Sequence, residues 1–292
     1  CAAKCPYCDF NSHVRNNIDQ KQWLTSYLRE INRVSKNTSS RVLDSVFFGG
    51  GTPSLIEPWV INDILNEIQK HWTTKDNFEV TLEANPGSVD AKNFKAYKSA
   101  GVNRISMGIQ SLNEKDLKAL GRTHTVREAL SAFEIAQQNF TAVSFDLIYA
   151  RQNQKLTQWE VELNQALDLG ANHMSLYQLT IEQNTAFGDR YNRGLLKGLP
   201  SDDISAELYD ITSNLCEDRG FSAYEVSNYA QEGSESVHNL VYWRYGDYIG
   251  IGPGAHGRLT VDGKRYATET FLSPEEWLTK VDNQGSGESF LS

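Results

Sequence analysis

The chain has 292 residues, of which 22% are charged and 39% hydrophobic, and its formal net charge is −9. That length can bury a large core in one main domain. The composition is ordinary for a soluble enzyme. The negative net charge argues against a broad nucleic-acid surface. Because no apolar run approaches the roughly 18–20 residues that span a bilayer and no signal peptide is visible, we expect a cytoplasmic protein without a transmembrane segment, with peripheral membrane contact left open.

The first notable feature in chain order is a group of cysteines. Cys1, Cys5 and Cys8 have the spacing C-x3-C-x2-C, whereas Cys216 stands alone. Soft thiolates select iron–sulfur clusters or zinc, and three of them on a [4Fe–4S] cluster leave one iron open to an outside ligand. The amino and carboxylate groups of S-adenosylmethionine (SAM) can fill that position. A zinc site stays open as an alternative if His13 supplies a fourth ligand, and so do three unrelated thiols.

Strand-like and helix-like patterns then alternate as far as residue 219. Apolar β-branched runs bounded by glycine or polar residues predict strands, and apolar residues at helical spacing, often closed by glycine, predict helices. The predicted strands are Val42–Phe48, Phe78–Glu83, Arg104–Ile109, Ala142–Tyr149 and His173–Ile181. The predicted helices are Pro58–Trp72, Asp90–Ala100, Glu114–Leu120, Val126–Phe140, Thr157–Leu169 and Asp202–Arg219.

Repeated βα units imply a parallel sheet with right-handed crossovers. We expect residues, and with them one more strand, to be missing upstream of Cys1, so the pattern predicts a partial (β/α)6 TIM-like barrel over residues 1–220. A smaller α+β extension, itself expected to be truncated, follows over residues 221–292. In such a barrel the chemistry is built where the strands end and their loops begin.

Glycines and polar residues fall at those strand ends. The loop Gly49–Thr52 can approach a ligand closely, and its carbonyls can accept from an ammonium group; no lysine follows that would make it a P-loop. Glu83 and Gln110 close the next two strands, and Arg122 lies between two helices, suited to a carboxylate. Asp146 lies inside an apolar strand and needs hydrogen-bond partners such as ribose hydroxyls. A plain turn, a strand-end cap or a salt bridge remains the alternative for each residue taken alone.

Together these segments resemble the oxygen-independent coproporphyrinogen III oxidase family of radical SAM proteins, and most closely its HemW-type heme chaperones. The resemblance covers nearly the whole chain. It is carried by Cys5-Pro-Tyr-Cys8-Asp-Phe-Asn-Ser-His13, Phe48-Gly-Gly-Gly-Thr-Pro-Ser54, Glu83-Ala-Asn-Pro-Gly87, Arg104-Ile-Ser-Met-Gly-Ile-Gln-Ser111, Leu120-Gly-Arg-Thr-His124, Asp146-Leu-Ile-Tyr149, Ser175-Leu-Tyr-Gln-Leu-Thr-Ile-Glu182, Tyr224-Glu-Val-Ser-Asn-Tyr229 and His238-Asn-Leu-Val-Tyr-Trp243. The positions that it implies for SAM contacts are Tyr7, Gly50, Gly51, Thr52, Glu83, Gln110, Arg122 and Asp146.

The resemblance also implies a heme site. The block His238-Asn239-x-x-Tyr242-Trp243 matches the motif linked with heme in HemW-type proteins, and it makes His238 the candidate iron ligand. A buried structural histidine is the alternative reading of His238, and His256 is a second candidate for the ligand. Cys216 is expected to be a small core residue.

The resemblance implies a heme chaperone that carries a [4Fe–4S] cluster and SAM, binds heme and delivers it to an apo-haemoprotein. The alternative is an oxygen-independent coproporphyrinogen III dehydrogenase, and a third reading is a radical SAM enzyme acting on another tetrapyrrole or small substrate. Phe10 stands where the oxidase has a further cysteine, which favours the chaperone, as does the His238 block. Ala150 replaces a usual glycine, and the family's C-terminal domain is expected past Ser292.

Overall fold

The structure, a computed structural model, describes residues 1, 3–15, 17–88 and 91–291. Its main sheet has the strand order β1-β2-β3-β4-β5-β7-β6. These strands are β1 (Val42–Phe48), β2 (Thr73–Ala84), β3 (Arg104–Gln110), β4 (Ala142–Tyr149), β5 (His173–Gln178), β6 (Ser222–Ala223) and β7 (Asn228–Ala230).

The first five strands pair in parallel, in sequence order, as the alternating pattern predicted. Strand β7 is antiparallel to β5, and β6 is antiparallel to β7. The sheet therefore ends in a short antiparallel edge built from residues beyond 220. The predicted partial barrel is confirmed as the fold class, whereas the division of the chain at residue 220 stays a prediction.

Helices connect the parallel strands and cover one face of the sheet. Most predicted helices are confirmed within one or two residues of their ends, although Asp90, the predicted start of one of them, lies outside the described residues. The sequence reading did not anticipate α1, α7, α9 or α10. The helices are α1 (Gln20–Ser35), α2 (Pro58–His71), α3 (Ala91–Ser99), α4 (Glu114–Ala119), α5 (Val126–Asn139), α6 (Leu156–Leu167), α7 (Ala186–Asn192), α8 (Asp202–Asp218), α9 (Val237–Trp243) and α10 (Pro274–Gln284).

The two faces of the sheet differ in polarity. Side chains alternate between the faces along each strand, and the apolar set packs against the helices in one core cluster. The opposite, concave face carries polar and charged residues at the intervening positions, among them Glu79, Glu83, Arg104, Asp146 and His173. The core-facing set is Val80, Leu82, Ala84, Ile105, Met107, Ile109, Val143, Phe145, Leu147, Met174 and Leu176.

Helix α5 illustrates why the sequence folds in this way. Thr125 Oγ1 accepts from the Glu128 N–H at 3.2 Å, and Glu128 Oε2 accepts from the Thr125 N–H at 2.7 Å. This capping box satisfies donors that the first turn would otherwise leave unpaired. The buried face of the helix, which includes Ala132 and Phe133, then packs on the sheet.

Two strand boundaries differ from the prediction. Strand β2 begins at Thr73 rather than Phe78. The prediction missed residues 73–77 because they are exposed and polar and lack the apolar pattern of a buried strand. Strand β5 ends at Gln178 rather than Ile181. After Leu179 donates to the carbonyl of Tyr149 at 2.8 Å, the chain leaves the sheet.

A second, antiparallel sheet lies near the end of the chain. Strands β8 (His256–Val261), β9 (Lys264–Thr270) and β10 (Glu288–Leu291) pair in the order β10-β9-β8. Trp277 of α10 is fully buried and stacks on Trp23 of α1, with ring centroids 5.7 Å apart. This contact ties the extension to the first helix. Within the described part of the chain, a helix with the length and hydropathy of a membrane span is absent.

A buried ion pair holds the loops after β3 and β4. Arg151 donates from Nη1 to Glu162 Oε1 at 3.2 Å and from Nη2 to the other oxygen of the same carboxylate, and Asp116 lies 3.0 Å from Nη2. Ser111 also donates to Glu162, at 2.6 Å. Both Arg151 and Glu162 are buried, so neither charge is solvated if the other is lost.

We therefore expect Arg151→Leu to lower the free energy of unfolding by about 3–5 kcal/mol, because it leaves the Glu162 carboxylate buried without its cation. The matched control is Arg219→Leu, which removes an exposed pair with Asp168 (2.9 Å) and should cost less than about 1 kcal/mol. Urea unfolding followed by circular dichroism measures both. Equal effects in the two variants would contradict a buried pair.

Candidate functional site

The three N-terminal cysteines lie in an irregular segment beside the carboxyl ends of the parallel strands. Cys1, Cys5 and Cys8 are half-buried free thiols, and the Cys8 N–H donates to the carbonyl of Cys5 at 3.1 Å. Among the described residues, no three Cys, His, Asp or Glu side chains converge on the space of a single metal ion. The ring of His13, the candidate fourth zinc ligand, is hydrogen-bonded through Nε2 to Asn11 Oδ1 at 3.0 Å.

A continuous chain of hydrogen bonds joins two of these cysteines across the strand ends. Thr52 Oγ1 donates to Cys1 Sγ at 3.3 Å, and Asn85 Nδ2 donates to Thr52 Oγ1 at 3.1 Å. Arg122 donates from Nη2 to Asn85 Oδ1 and from Nη1 to Cys5 Sγ, the latter at 3.3 Å. The loops after β1, β2 and α4 are therefore fixed relative to the cysteines by side chains rather than by backbone pairing.

Asn85 is the member of this chain of hydrogen bonds for which the sequence predicts no role. It lies inside the block Glu83-Ala-Asn-Pro-Gly87, two residues beyond Glu83, a predicted SAM contact. Its amide can donate to Thr52 and accept from Arg122 at the same time. That bridging role depends on residues far apart in sequence, so the block was the only available signal.

One hydrogen-bond donor of the Arg122 guanidinium is unpaired. Its Nη2 also donates to the Gly108 carbonyl at 2.8 Å, but its buried Nε has no hydrogen-bond partner. A buried donor without a partner is costly and calls for an explanation. An anionic ligand group beside the guanidinium would supply the missing acceptor, so the residue fits the carboxylate role predicted for it.

Two carboxyl groups of the concave face have raised pKa values. Burial and the negative charge of Asp146 raise the pKa of Glu83 to about 8, although a hydrogen bond from the Gly50 N–H (3.0 Å) lowers it. Burial likewise raises the pKa of Asp146 to about 6, against the lowering effects of a hydrogen bond with Ser175 and of the Arg122 charge. Gly50 has φ of +113°, a conformation that favours glycine. A cation or hydroxyl donor beside these carboxyl groups would favour their charged forms.

The remaining predicted SAM positions surround the same strand ends. Gly51 lies beside Cys1, because a Cβ placed on it would be 3.4 Å from the cysteine sulfur. The Gln110 amide reaches back over Gly108, with Nε2 2.9 Å from a Cβ placed there. Tyr7 packs on Phe187, with centroids 6.5 Å apart, and burial raises the pKa of its hydroxyl above the usual range.

The structure thus brings Thr52, Arg122, Gly51 and Gln110 to one edge with the cysteines, and it places Glu83 beside Gly50. Two departures from the family pattern are also visible. Phe10, at the position of the oxidase's further cysteine, has 58% of its surface exposed. Ala150 has φ of +57°, which explains why glycine is the usual residue there.

His238 lies in a stack of rings instead. Its imidazole stacks on Phe47 of β1 (centroids 4.2 Å apart, 17° between planes) and meets the edge of Tyr242 at 4.9 Å. Burial lowers the pKa of His238 to about 4, so the ring is neutral at pH 7, as an iron ligand must be. His256 is exposed at the start of β8, with Nδ1 3.7 Å from Glu269.

The carboxylate of Glu79, in β2 on the concave face of the sheet, binds the N-terminus of α9, the helix that carries His238. Glu79 accepts from the N–H groups of Val237 and His238 at 3.1 and 3.0 Å, and from Ser236 Oγ at 3.3 Å. Negative charge at a helix N-terminus is stabilising. Arg104 lies 3.5 Å from the same carboxylate, so Glu79 is paired as well as hydrogen-bonded.

The amino-acid sequence of this chain is similar to those of known radical SAM proteins. The model of the Radical SAM superfamily matches residues 1–159. The heme chaperone HemW of Haemophilus influenzae is 44% identical over 97% of this chain and 77% of that protein, and the heme chaperone HemW of Escherichia coli is 39% identical over 95% of this chain and 73% of that protein. The chain therefore spans about three-quarters of the length of these two relatives.

The solved structure of coproporphyrinogen III oxidase (HemN) from Escherichia coli, described as a radical SAM enzyme, superposes with a TM-score of 0.84. The alignment covers 100% of this chain and 69% of that one, at 18% sequence identity. An identity this low supports the shared fold alone.

The raised pKa of Glu83 predicts how stability depends on pH. Below about pH 4.5 the carboxyl is protonated in both the folded and the unfolded chain. As the pH rises toward 8 the unfolded chain releases this proton while the folded one retains it, so stability is lost across this window. Replacing the Glu83 carboxyl group by a neutral one should therefore raise the free energy of unfolding most at high pH.

We expect Glu83→Gln, in SAM-free protein, to raise stability at pH 8.5 by about 2 kcal/mol, or roughly 4–8 °C in Tm, with little change at pH 4.5. The amide oxygen can still accept from the Gly50 N–H. Glu232→Gln, at an exposed carboxylate, is the control and should show no such pH dependence. Thermal melts across this pH range measure the difference, and a pH-independent shift for Glu83→Gln would contradict the assignment.

Proposed function

The chain belongs to the radical SAM superfamily and, within it, to the HemW group, and on that premise we propose that it is a heme chaperone that binds heme and delivers it to an apo-haemoprotein. The observation that carries the proposal is the 44% identity to a heme chaperone over 97% of this chain. The likeness to coproporphyrinogen III oxidase, at 18% identity, supports the fold and not that enzyme's reaction.

The cofactors that go with this superfamily are a [4Fe–4S] cluster and SAM; when bound, the cluster supplies an electron to the SAM sulfonium. We assign the cluster to Cys1, Cys5 and Cys8. The donor set fits, because soft thiolates select such clusters and three of them leave one iron free. Thr52 and Arg122 donate to two of the sulfurs, which stabilises thiolate charge.

The residues at the strand ends suit the polar groups of SAM. Arg122, whose Nε has no partner, would bind the SAM carboxylate, and carbonyls of the Gly49–Thr52 loop would accept from the amino group. Asp146 would accept from ribose hydroxyls. Glu83 lies on the same face of the sheet, two strands away, and would share in holding the donors, since both carboxyl pKa values are raised by burial and stand to fall when donors arrive. Tyr7 and Gln110 would border the same site.

His238 is our candidate ligand for heme iron. Its low pKa keeps a nitrogen lone pair available at neutral pH, and the stack between Phe47 and Tyr242 fixes its orientation. His256 is exposed and 3.7 Å from the Glu269 carboxylate, so it is the weaker candidate. The apo-haemoprotein that accepts the heme stays part of the proposal.

Two further sequence predictions remain part of this proposal. The division into a barrel (1–220) and an extension (221–292) is supported by the separate sheet of β8, β9 and β10, although β6 and β7 belong to the main sheet. The cytoplasmic location is supported by the cluster assignment, because thiolate ligands persist in a reducing compartment.

The less supported alternative is a coproporphyrinogen III dehydrogenase, which uses the same fold. Phe10 stands at the position where the oxidase has a further cysteine. The chaperone reading expects saturable heme binding without decarboxylation of coproporphyrinogen III. Turnover of coproporphyrinogen III by reconstituted protein, assayed anaerobically, would favour the dehydrogenase instead.

The cluster assignment predicts that Cys5→Ser loses the cluster, because two thiolates cannot hold it and the hydroxyl is a poor iron ligand. Cys216→Ala is the matched control, since Cys216 is on the buried face of α8 and its loss should leave the cluster intact. Iron and sulfide analysis after anaerobic reconstitution measures both variants. A full complement of iron in Cys5→Ser would refute the assignment.

The heme assignment predicts that His238→Ala weakens heme binding at least tenfold, since an axial imidazole is lost. Cluster-loaded protein is titrated with heme and followed by its Soret absorbance, with His256→Ala as the control expected to bind like wild type. Circular dichroism and thermal melting check that the variant remains folded. Absence of saturable binding by the wild-type chain would overturn the chaperone proposal itself.

A further inference from the structure

The last turn of α9 and the residues after it expose three large aromatic side chains in sequence. Tyr242, Trp243 and Tyr245 have 43%, 56% and 80% of their surface exposed, the last being the most exposed large hydrophobic residue among those described. Burying aromatic surface is favourable, and single exposed apolar residues are common. Three within four positions, next to the helix that carries His238, form a surface that needs an explanation.

The backbone conformation at Tyr245 is one that favours glycine. The Gly246 N–H donates to the Val241 carbonyl at 2.7 Å and the Tyr245 N–H to the Tyr242 carbonyl at 3.0 Å, the two bonds of a Schellman motif. In that motif the residue at the position of Tyr245 adopts the left-handed conformation and is usually glycine; here φ is +60°. The helix end therefore favours glycine at a site where the chain has a bulky aromatic residue.

Folding gives no reason for this choice, because the Tyr245 ring is mostly in solvent. Instead, β9 contributes a side chain that holds the ring in place. Arg265 donates to the carbonyls of Tyr245 and Gly246 at 2.6 and 2.8 Å, and its guanidinium carbon lies 4.6 Å from the Tyr245 ring centroid. A cation over one face of the ring stabilises it and leaves the rest of the ring exposed.

Positive charge borders the same surface. Arg244, between Trp243 and Tyr245, is exposed, and its guanidinium has no hydrogen bond or ion pair with any described residue. Tyr242 connects the surface to the site assigned above, because its ring meets His238 at 4.9 Å and Tyr248 at 4.5 Å. Flat aromatic rings beside guanidinium groups suit a ligand that is planar, apolar and negatively charged at its rim.

We infer that Arg244, Tyr245 and Arg265 extend the aromatic end of the His238 block into a contact surface for the porphyrin of heme, in which Tyr245 packs on the macrocycle and Arg244 binds a propionate. This inference rests on the proposed function and adds Arg244, Tyr245 and Arg265, which lie outside the His238 block, to Tyr242 and Trp243, which belong to it. Tyr245 is retained against the local preference for glycine because it contacts the ligand. Arg265 positions that ring.

The decisive variant is Tyr245→Gly, because it should separate folding from binding. Glycine suits φ of +60°, so Tm should be equal to or higher than that of wild type, whereas the Kd for hemin should rise about tenfold, the loss of one aromatic contact. Tyr245→Phe should bind like wild type. Asp262→Gly, at another exposed residue with positive φ (+50°), and Tyr191→Ala, at another exposed tyrosine, are controls expected to leave the Kd unchanged.

A second comparison tests the charge. Arg244→Gln should weaken binding of hemin several-fold but leave binding of hemin dimethyl ester unchanged, because the ester has no propionate charge to pair. Soret titration of cluster-loaded protein measures every Kd. Equal loss for both ligands would contradict a propionate contact.

The outcomes separate the inference from the function on which it rests. If wild type binds no hemin, the proposed function fails. If wild type binds hemin and Tyr245→Gly binds equally well, the function stands and the inference is overturned. Unchanged hemin affinity, combined with wild-type self-association that Tyr245→Gly abolishes in sedimentation, would assign the surface to a protein contact instead and would equally overturn it.

Discussion

The fold depends on a sheet whose two faces have opposite polarity. Parallel strands covered on both faces are usually apolar throughout, but here only the helix-facing residues are. The concave face carries carboxylates, an arginine and a histidine, and each must be paired or hydrogen-bonded because isolated buried charge is costly. Away from the carboxyl ends of the strands, Glu79 is paired with Arg104 and accepts hydrogen bonds from the first N–H groups of α9. At the carboxyl ends, Glu83 has no such cation among the described residues, and the Arg122 charge only partly offsets the burial of Asp146, so the pKa values of both carboxyl groups are raised. That contrast supports the proposed SAM site at the carboxyl ends of the strands.

The cysteine segment has little regular structure, so side chains from distant parts of the chain fix its position. Arg122 and Thr52 bind two of the sulfurs, and Asn11 Nδ2 donates to the carbonyls of Pro253 and Leu272, both at 2.9 Å. The Phe187 N–H donates to the Pro6 carbonyl at 2.8 Å. The extension after residue 220 therefore contributes directly to holding the segment that carries the proposed cluster ligands.

The sequence predicted what depends on local pattern. The strands β1, β3 and β4 and most of the βα helices follow from apolar periodicity, and the grouping of strand-end residues follows from parallel topology. What it missed depends on pairing between distant residues. The short strands β6 and β7 have too few residues for a pattern, and the bridging amide of Asn85 is recognisable only when Thr52 and Arg122 are in place. Likewise, nothing local shows that α9 begins on a carboxylate of β2.

One aromatic ring connects the two sites that the proposals assign. A Cβ on Gly49 would lie 2.4 Å from Cε1 of Phe47, so the glycine loop can adopt its path only because it has no side chain there. The same Phe47 ring stacks on His238 at 4.2 Å. A shift of Phe47 away from His238 would therefore change the space beneath the loop whose next residue, Gly50, donates to Glu83. Since closely packed interiors transmit displacements rather than absorb them, the proposed SAM loop and the proposed heme ligand form one packed unit, although 189 positions separate Gly49 from His238 (238 − 49).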